Sequence, residues 1–254
     1  MIAIILAAGR GERLRPLTDN LPKGLITLNS KSLLEYSLRG LVASGIKRAI
    51  IVVGYKRSEI ESRLGSTYAG MELLYVENKE YATSGSMFSL YTARDFIAED
   101  IILLESDLVF EQEAIDDLVQ SNKKNAILVA PCRGNGDEVF IRVDPAGHLI
   151  GLGKQIVNKG KALGELVGIS KLSLQFFGEL CDRAEIEFDQ NGKGISYEDT
   201  IMLTVKDGAT AVDCIFLNNL LWTDIDTEED FERAKIEIFP KIVKFTERKP
   251  HKSS

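Results

Sequence analysis

The chain opens with an unbroken apolar run, from Ile2 to Ala8, that leads directly into a loop of small and basic residues beginning at Gly9. The run is far too short to span a bilayer, and it lacks the basic segment and the polar cleavage region of a signal peptide. It therefore predicts a buried strand. A strand that is apolar on both faces is typical of a parallel sheet covered by helices.

Strand-like and helix-like patterns alternate through the first half of the chain. This order predicts an α/β fold, a Rossmann-like and mostly parallel sheet with helices on both faces. The predicted strands are Ile2–Ala7, Ala49–Val53, Met71–Val76, Ile101–Leu104 and Ala126–Ala130, and the predicted helices are Leu33–Ala43, Ser58–Leu64, Ser86–Phe96 and Glu111–Gln120.

The second half adds an inserted β-hairpin region, because Glu138–Val143 and His148–Leu152 flank the turn sequence Asp-Pro-Ala-Gly at 144–147. A last helix is predicted to begin after the N-cap Thr227 and to end near Phe239, where Pro240 follows. No repeat or linker interrupts the chain. We therefore expect one domain over residues 1–246 and a polar tail over residues 247–254. The other predicted elements are the strands Leu166–Ile169 and Val212–Leu217 and the helices Leu172–Arg183 and Glu198–Val205.

Composition narrows the class of protein. The 254 residues carry a formal net charge of -7, which argues against a protein that mainly grips nucleic acid. Three widely spaced cysteines and two histidines supply neither a disulfide framework nor a His-based triad or metal site. We expect a cytoplasmic protein that has neither a membrane nor a nucleic acid as a partner.

The loop after the first strand carries the strongest motif. Its small residues let backbone N–H groups approach an anion, and Arg13, Arg15 and Lys23 add positive charge just beyond it. The segment lacks the third glycine of a dinucleotide fingerprint, and the chain has no P-loop string. These residues indicate a polyphosphate site, although a tight turn with solvated arginines has the same composition.

The segment LAAGRGERLRPLTDNLPK, which spans Leu6 to Lys23, resembles the N-terminal motif of the sugar-phosphate nucleotidyltransferase superfamily. The resemblance implies that Ala7, Ala8 and Gly9, with Leu6, Arg10 and Gly11 beside them, hold the base and ribose. It also implies that Arg13 and Lys23 hold the triphosphate. Their charges suit that role, because phosphoryl-type transfer depends mainly on positioning and electrostatics.

Carboxylates mark a second predicted site. Asp107 follows the strand that ends in Glu105 and Ser106, and Asp224 and Asp226 lie two residues apart in what reads as extended chain. Such a set suits Mg²⁺, which takes a few carboxylates together with phosphate oxygens. Asp107 also fits a helix cap or a loop, and Asp226 also fits a helix start. The family has an aspartate at both places, which implies that Asp107 and Asp226 are catalytic.

A Ser- and Gly-rich helix start, Thr83, Ser84, Gly85 and Ser86, offers further donors to a nucleotide. An ordinary capped helix has the same pattern. The longer string around it, Tyr81–Leu90, resembles the cytidylyltransferases that act on phosphocholine and on 2-aminoethylphosphonate, as do Glu105–Asp107, Gly164–Ser170 and Trp222–Asp230. The resemblance implies CTP as the nucleotide and a small phosphonate or phosphate as the acceptor.

An amine-bearing acceptor needs a cation for its phosphorus group and a counterpart for its amine. Lys154 is the candidate for the first role, although a solvated surface lysine has the same setting. A primary ammonium favours carboxylates, whereas a quaternary ammonium favours an aromatic cage. Carboxylates outnumber aromatic rings among the candidates, which favours a primary amine. The candidates for the amine are Glu165, Tyr197, Glu198, Asp199 and Trp222.

Two other functions stay open at this level. One is a nucleotidyltransferase that uses a sugar 1-phosphate or an inositol phosphate. The other is a nucleotide-sensing domain without catalysis, against which the full set of charged residues argues. The apolar positions between Phe231 and Phe245 suffice for internal packing or for a homodimer contact.

Overall fold

The computed structural model describes residues 1–134, 136–154, 163–208 and 210–248. Within these residues, ten strands form one mixed sheet, and two small two-stranded sheets lie beside it. The strands are β1 (Ile2–Ala7), β2 (Thr27–Leu28), β3 (Lys31–Ser32), β4 (Arg48–Val53), β5 (Thr67–Tyr68), β6 (Met71–Glu77), β7 (Ile101–Glu105), β8 (Leu108–Phe110), β9 (Ala126–Ala130), β10 (Phe140–Val143), β11 (Leu149–Gly153), β12 (Gly164–Leu172), β13 (Asp213–Phe216) and β14 (Trp222–Asp224).

α-Helices lie between several of the strands and follow the last one. In the described parts of the chain they are α1 (Leu33–Ala43), α2 (Arg57–Leu64), α3 (Ser86–Thr92), α4 (Glu113–Gln120), α5 (Leu174–Asn191), α6 (Tyr197–Lys206), α7 (Glu228–Arg233) and α8 (Phe239–Arg248).

The centre of the main sheet is parallel, in the order β7, β1, β4, β6. The antiparallel strand β12 pairs with β7 along its second half and with the hairpin strand β10 at its start. Its other edge pairs with β9, and the register between them shifts between Leu166 and Ser170. Gly168 lies inside this irregularity with a φ of 83°, a value that glycine adopts far more readily than other residues.

Alternate residues of β1 build the two halves of the core. Ile2 and Ile4 face α3, α5 and α6, whereas Ala3 and Ile5 face α1, α2 and α4. Strand side chains alternate between faces, so a strand that is apolar at every position packs helices on both sides. The predicted fold class is confirmed, including the hairpin of β10 and β11.

The predicted end of the last helix near Phe239 is wrong. A π-helical turn, Ala234–Ile238, joins α7 to α8, which continues through Pro240 to Arg248. Pro240 is the second residue of α8, and proline is tolerated in the first turn of a helix. The wider turn before it has the Phe239 N–H donating to the Ala234 carbonyl. Most of the tail predicted from residue 247 lies outside the described residues.

None of the helices that the structure describes is long and apolar enough to cross a membrane.

Candidate active site

A charged cleft of about 240 Å³ opens where the parallel strands β1 and β7 end. Glu105 is the last residue of β7, and Asp107 follows it in the turn before β8. Among the described residues that line the cleft, eight side chains carry carboxyl groups and three are cationic. The carboxyl groups belong to Glu105, Asp107, Asp137, Glu138, Glu165, Glu198, Asp224 and Asp226, and the cations are Arg13, Arg133 and Lys154.

Lys23 bridges two of these carboxylates. It begins a short 3₁₀ turn after Pro22, and its Nζ donates to Asp107 Oδ2 and, at 2.5 Å, to Asp226 Oδ1. The three side chains are only 14%, 15% and 22% exposed. Burial opposes the charge on Lys23, but the two carboxylates outweigh it and raise the pKa of the ammonium. Lys23 therefore stays charged.

One oxygen of Asp107 has no hydrogen-bond partner among the residues that the structure describes. Burial raises the pKa of its carboxyl group, although Lys23 acts in the opposite direction. Its Oδ1 is buried and, within the described residues, accepts no hydrogen bond. Such an atom calls for a ligand or an ion.

Asp107 and Asp226 are the residues that fit Mg²⁺. Nowhere in the described ranges do three His, Cys, Asp or Glu side chains form a metal-binding group. A pair of carboxylates nevertheless suits Mg²⁺, which is held by one or two carboxylates plus substrate phosphates. The unpartnered Oδ1 of Asp107 supports this fit.

Arg13 and Lys154 converge on Asp137, a residue that the sequence analysis did not select. Arg13 donates to Asp137 Oδ2 at 2.5 Å and lies 2.9 Å from Asp226 Oδ2. Lys154 donates to the other oxygen of Asp137. Partial burial opposes the charge on Asp137, but the hydrogen bonds from Lys154 and Arg13 hold its pKa below the usual value. The two cations share one anionic partner.

Arg133, also missed from the sequence, organises the other end of the cleft. Its Nε donates to Glu165 Oε1 at 2.7 Å, and its Nη1 donates to Asp224 Oδ1 at 2.8 Å. Its guanidinium lies 4.0 Å from the centre of the Trp222 ring. The one available signal was its position, three residues beyond the buried strand β9.

Asp224 and Asp226 point to different partners. Both Asp224 oxygens accept hydrogen bonds from Arg133, at 2.8 and 3.3 Å, whereas Asp226 faces Lys23 and Arg13. The strand β14 ends at Asp224, and the Ile225 N–H donates to the Asp107 carbonyl. Asp226 lies beyond the end of the strand, but both aspartates line the cleft.

Glu105 lines the cleft, and the buried Tyr197 lies behind it. The Tyr197 hydroxyl donates to Glu105 Oε1 at 2.6 Å. Burial, together with Asp107 and Glu198, raises the pKa of Glu105 well above its usual value. Burial also raises the pKa of Glu198. Glu198 lines the cleft, whereas the exposed Asp199 accepts from the Ser196 hydroxyl at the start of α6.

The loop Leu6–Gly11 is held by hydrogen bonds at Ala8 and Gly11 and has free space at Gly9. The Ala8 carbonyl accepts from the Tyr55 N–H at 3.0 Å, and the Gly11 carbonyl accepts from the Thr18 hydroxyl at 2.7 Å. Gly9 is exposed, and a Cβ built on it would meet no atom within 4 Å. The structure thus leaves space at the centre of the predicted nucleotide loop.

The predicted donors at the start of α3 are largely used inside the protein. The Gly85 N–H donates to the Lys193 carbonyl at 2.7 Å, and the Ser86 hydroxyl accepts from the Tyr197 N–H at 2.9 Å. The other two hydroxyls have partners in the segment before α3: Ser84 accepts from Asn78, and Thr83 donates to the Glu80 carbonyl. These contacts join α3 to the segment that begins α6. Ser106, between Glu105 and Asp107, is buried.

Comparison with known proteins identifies the family. Residues 2–134 match the family model described as nucleotidyl transferase. The chain therefore belongs to the nucleotidyl transferase family, which confirms the resemblance drawn from the N-terminal motif.

The names of two relatives refer to aminophosphonates. The CMP-5'-(3-aminopropyl)phosphonate synthase of Streptomyces rubellomurinus is 28% identical over 251 residues, which cover 94% of this chain and 39% of that protein. The 2-aminoethylphosphonate cytidylyltransferase of Lancefieldella rimae is 34% identical over 173 residues, 67% of this chain and 66% of that protein. The chain also spans about half the length of two further relatives.

A solved structure shares the fold over nearly the whole chain. The inositol-1-phosphate CTP transferase from T. maritima superposes with a TM-score of 0.79 and covers 95% of both chains at 24% identity. This likeness concerns the fold alone.

Proposed function

We propose that the protein is a Mg²⁺-dependent cytidylyltransferase that joins CMP from CTP to a small amine-bearing phosphonate or phosphate. Such a reaction on 2-aminoethylphosphonate gives CMP-2-aminoethylphosphonate and pyrophosphate, and on phosphocholine it gives CDP-choline and pyrophosphate. Family membership and the names of the two aminophosphonate relatives support the proposal.

The observation that carries the proposal is the bridge made by Lys23. One ammonium lies between Asp107 and Asp226 at the carboxyl end of the parallel strands, with Arg13 beside it. Ligands of open α/β sheets bind at this end. A site that holds two carboxylates, two cations and an unpartnered carboxylate oxygen is suited to a metal-bound triphosphate.

The reaction needs no nucleophile from the protein. An oxygen of the acceptor's phosphonate or phosphate attacks the α-phosphorus of CTP, and the bond from that phosphorus to the bridging oxygen of the β-phosphate breaks. Pyrophosphate leaves with the electron pair of the broken bond. The protein's contribution is to position the two reactants and to stabilise charge in the transition state.

Lys23 and Arg13 supply positive charge next to the transferring phosphate and the departing pyrophosphate. When bound at Asp107 and Asp226, Mg²⁺ neutralises phosphate charge and orients the reactants. Arg13 and Lys154 exchange their shared carboxylate, Asp137, for phosphate or phosphonate oxygens of the substrates. Glu165 and Glu198 face the amine of the acceptor.

The test is a matrix of pyrophosphate-release assays with Mg²⁺. CTP, UTP, GTP and ATP are each combined with 2-aminoethylphosphonate, phosphocholine, phosphoethanolamine, glucose 1-phosphate and inositol 1-phosphate. We expect release with CTP and an amine-bearing acceptor, and none when EDTA replaces the metal. Release only with a sugar or inositol phosphate would overturn the choice of acceptor. Nucleotide binding without release from any pair would overturn the proposal and favour a sensing domain.

A further inference from the structure

The side chains that line the cleft bear on the kind of amine that an acceptor can carry. None of the described side chains that line the cleft is aromatic, whereas eight carry carboxyl groups. A quaternary ammonium has no N–H to donate and is recognised by aromatic faces. A primary ammonium donates three hydrogen bonds, for which carboxylates are the strongest acceptors.

Tyr197, which donates to the cleft residue Glu105, is buried, and the ring of Trp222 is already covered. The guanidinium of Arg133 lies 4.0 Å from the centre of the Trp222 ring, and Trp222 is only 5% exposed. The cation that a Trp face would attract is thus supplied by the protein itself. An acceptor in the cleft meets the guanidinium in place of the ring.

The guanidinium is fixed rather than free to contact a phosphonate. Its Nε binds Glu165, its Nη1 binds Thr223 and Asp224, and its Nη2 binds Asp224. These contacts occupy most of its five donors and set the positions of both carboxylates. In contrast, Lys154 and Arg13 are themselves exposed, share the partly buried Asp137, and are the cations that can change partners.

Only one of the two carboxylate oxygens of Glu165 accepts a hydrogen bond from the described residues. Its Oε1 accepts from Arg133, while its Oε2 is buried and accepts no hydrogen bond from the residues that the structure describes. An ammonium hydrogen satisfies such an atom, whereas a trimethylammonium group does not. Glu198, which also lines the cleft, offers a second acceptor.

We propose that Arg133 makes this cleft selective for an acceptor with a primary ammonium, by covering Trp222 and by fixing Glu165 and Asp224. The inference rests on the proposed function, since it assumes an amine-bearing acceptor in the same cleft. Arg133 acts on the acceptor through its neighbours, so it is a positioning residue.

The experiment compares two acceptors that differ only in the methyl groups on nitrogen, 2-aminoethylphosphonate and its N,N,N-trimethyl derivative. Their binding to the full chain is measured by calorimetry, with Mg²⁺ and a non-hydrolysable CTP analogue. Trp222 is the chain's single tryptophan, so intrinsic fluorescence reports on its ring alone. Both measurements are independent of turnover.

We expect the wild-type protein to bind the primary amine about tenfold more tightly than the trimethyl compound, and Arg133→Met to lose that preference. The trimethyl compound should change Trp222 fluorescence only in the variant. Arg94→Met is the matched control, since Arg94 lies 4.0 Å from the Tyr91 ring, outside the residues that line the cleft. It should keep the wild-type preference. If Arg133→Met does not fold, Arg133→Lys, which loses the bidentate fork, should show a smaller loss of preference.

Equal wild-type affinities, an unchanged preference in the Arg133 variants, or no binding of either compound would overturn the inference. Pyrophosphate release is measured on the same samples. Selective binding without release would defeat the proposed function and leave the inference standing. Release of pyrophosphate without selective binding would support the proposed function and overturn the inference about Arg133.

Discussion

Lys23 and Arg133 each bridge two carboxylates of the same cleft, but they do so with different chemistry. Lys23 is a point charge whose partners, Asp107 and Asp226, are accessible from the cleft at 15% and 22% exposure. Arg133 is a planar fork, stacked on Trp222 and bound to a Glu165 side chain that is 1% exposed.

This difference distinguishes a contact that can change partners during a reaction from one that holds the structure in place. A point charge without fixed geometry can exchange a carboxylate for a phosphate or leave a carboxylate to a metal ion. A fork that makes several directed hydrogen bonds holds its neighbours in place. Loss of Lys23 should therefore impair turnover, and loss of Arg133 should impair stability first.

Substitution of Lys23 is the severest test. Lys23→Ala should lower turnover by about 10²- to 10³-fold, because one preorganised charge at the reacting phosphate is lost. Added Mg²⁺ should raise the melting temperature of this variant more than that of the wild-type protein, since Asp107 and Asp226 lose their ammonium partner. Initial rates of pyrophosphate release and thermal melts check both outcomes.

Lys123→Ala is the control for Lys23, because Lys123 pairs with Asp213 far from the cleft residues and is 48% exposed. It should leave the rate unchanged. Wild-type turnover in Lys23→Ala would contradict the assignment of Lys23 to the reaction.

Removal of Arg133 should have its largest effect on folding. Arg133→Ala should lower the free energy of unfolding by about 3 kcal/mol, because it leaves Glu165 charged, buried and unpaired. Burial raises the pKa of Glu165, so the variant can protonate this group as the pH falls. The loss should therefore be largest above the pKa of the folded state and shrink as the pH falls towards the ordinary pKa of glutamate.

Urea denaturation at several pH values measures this loss. Arg57→Ala is the control, since Arg57 also contacts two carboxylates, Glu61 and Glu77, but is 40% exposed. Its loss should be below about 1 kcal/mol. Equal losses in the two variants would remove the distinction between Arg133 and a surface ion pair.

Asp137→Asn should have the smallest effect. Its partners Arg13 and Lys154 are 57% and 58% exposed, so stability should change by less than about 1 kcal/mol. The KM for the substrates should fall modestly, since the two cations lose an anionic competitor. A KM that rises instead would show that Asp137 positions Arg13 and Lys154 for the substrate.

Lys23, Asp107 and Asp226 come together in the structure for physical reasons. Lys23 and Asp107 follow strands β1 and β7, and the carboxyl ends of neighbouring parallel strands meet at one edge of a sheet. The pairing of β1 with β7 brings the segments that carry these residues to one edge of the sheet. Asp226 lies beside Asp107 because β14, which ends two residues before Asp226, pairs with β8, which begins directly after Asp107.

The end of the cleft around Arg133 depends on contacts that no local pattern encodes. Arg133 meets Glu165 because β9 pairs with β12, and it meets Asp224 because β14 ends beside them. Asp137 lies in the loop between β9 and β10, where neither periodicity nor a turn motif marks it. The length of α8 was also missed, because a π-helical turn accommodates a proline that usually ends a helix.

Two glycines of the predicted nucleotide site show how one amino acid can be retained for unrelated reasons. A Cβ at Gly85 would lie 2.1 Å from the Ile195 carbonyl oxygen and would force α3 and α6 apart, whereas a Cβ at Gly9 would enter open space. In a mutational library, position 85 should tolerate glycine alone in any screen for folded protein. Position 9 should pass that screen with alanine and be restricted only when nucleotide use is selected, so the two screens together separate architecture from recognition.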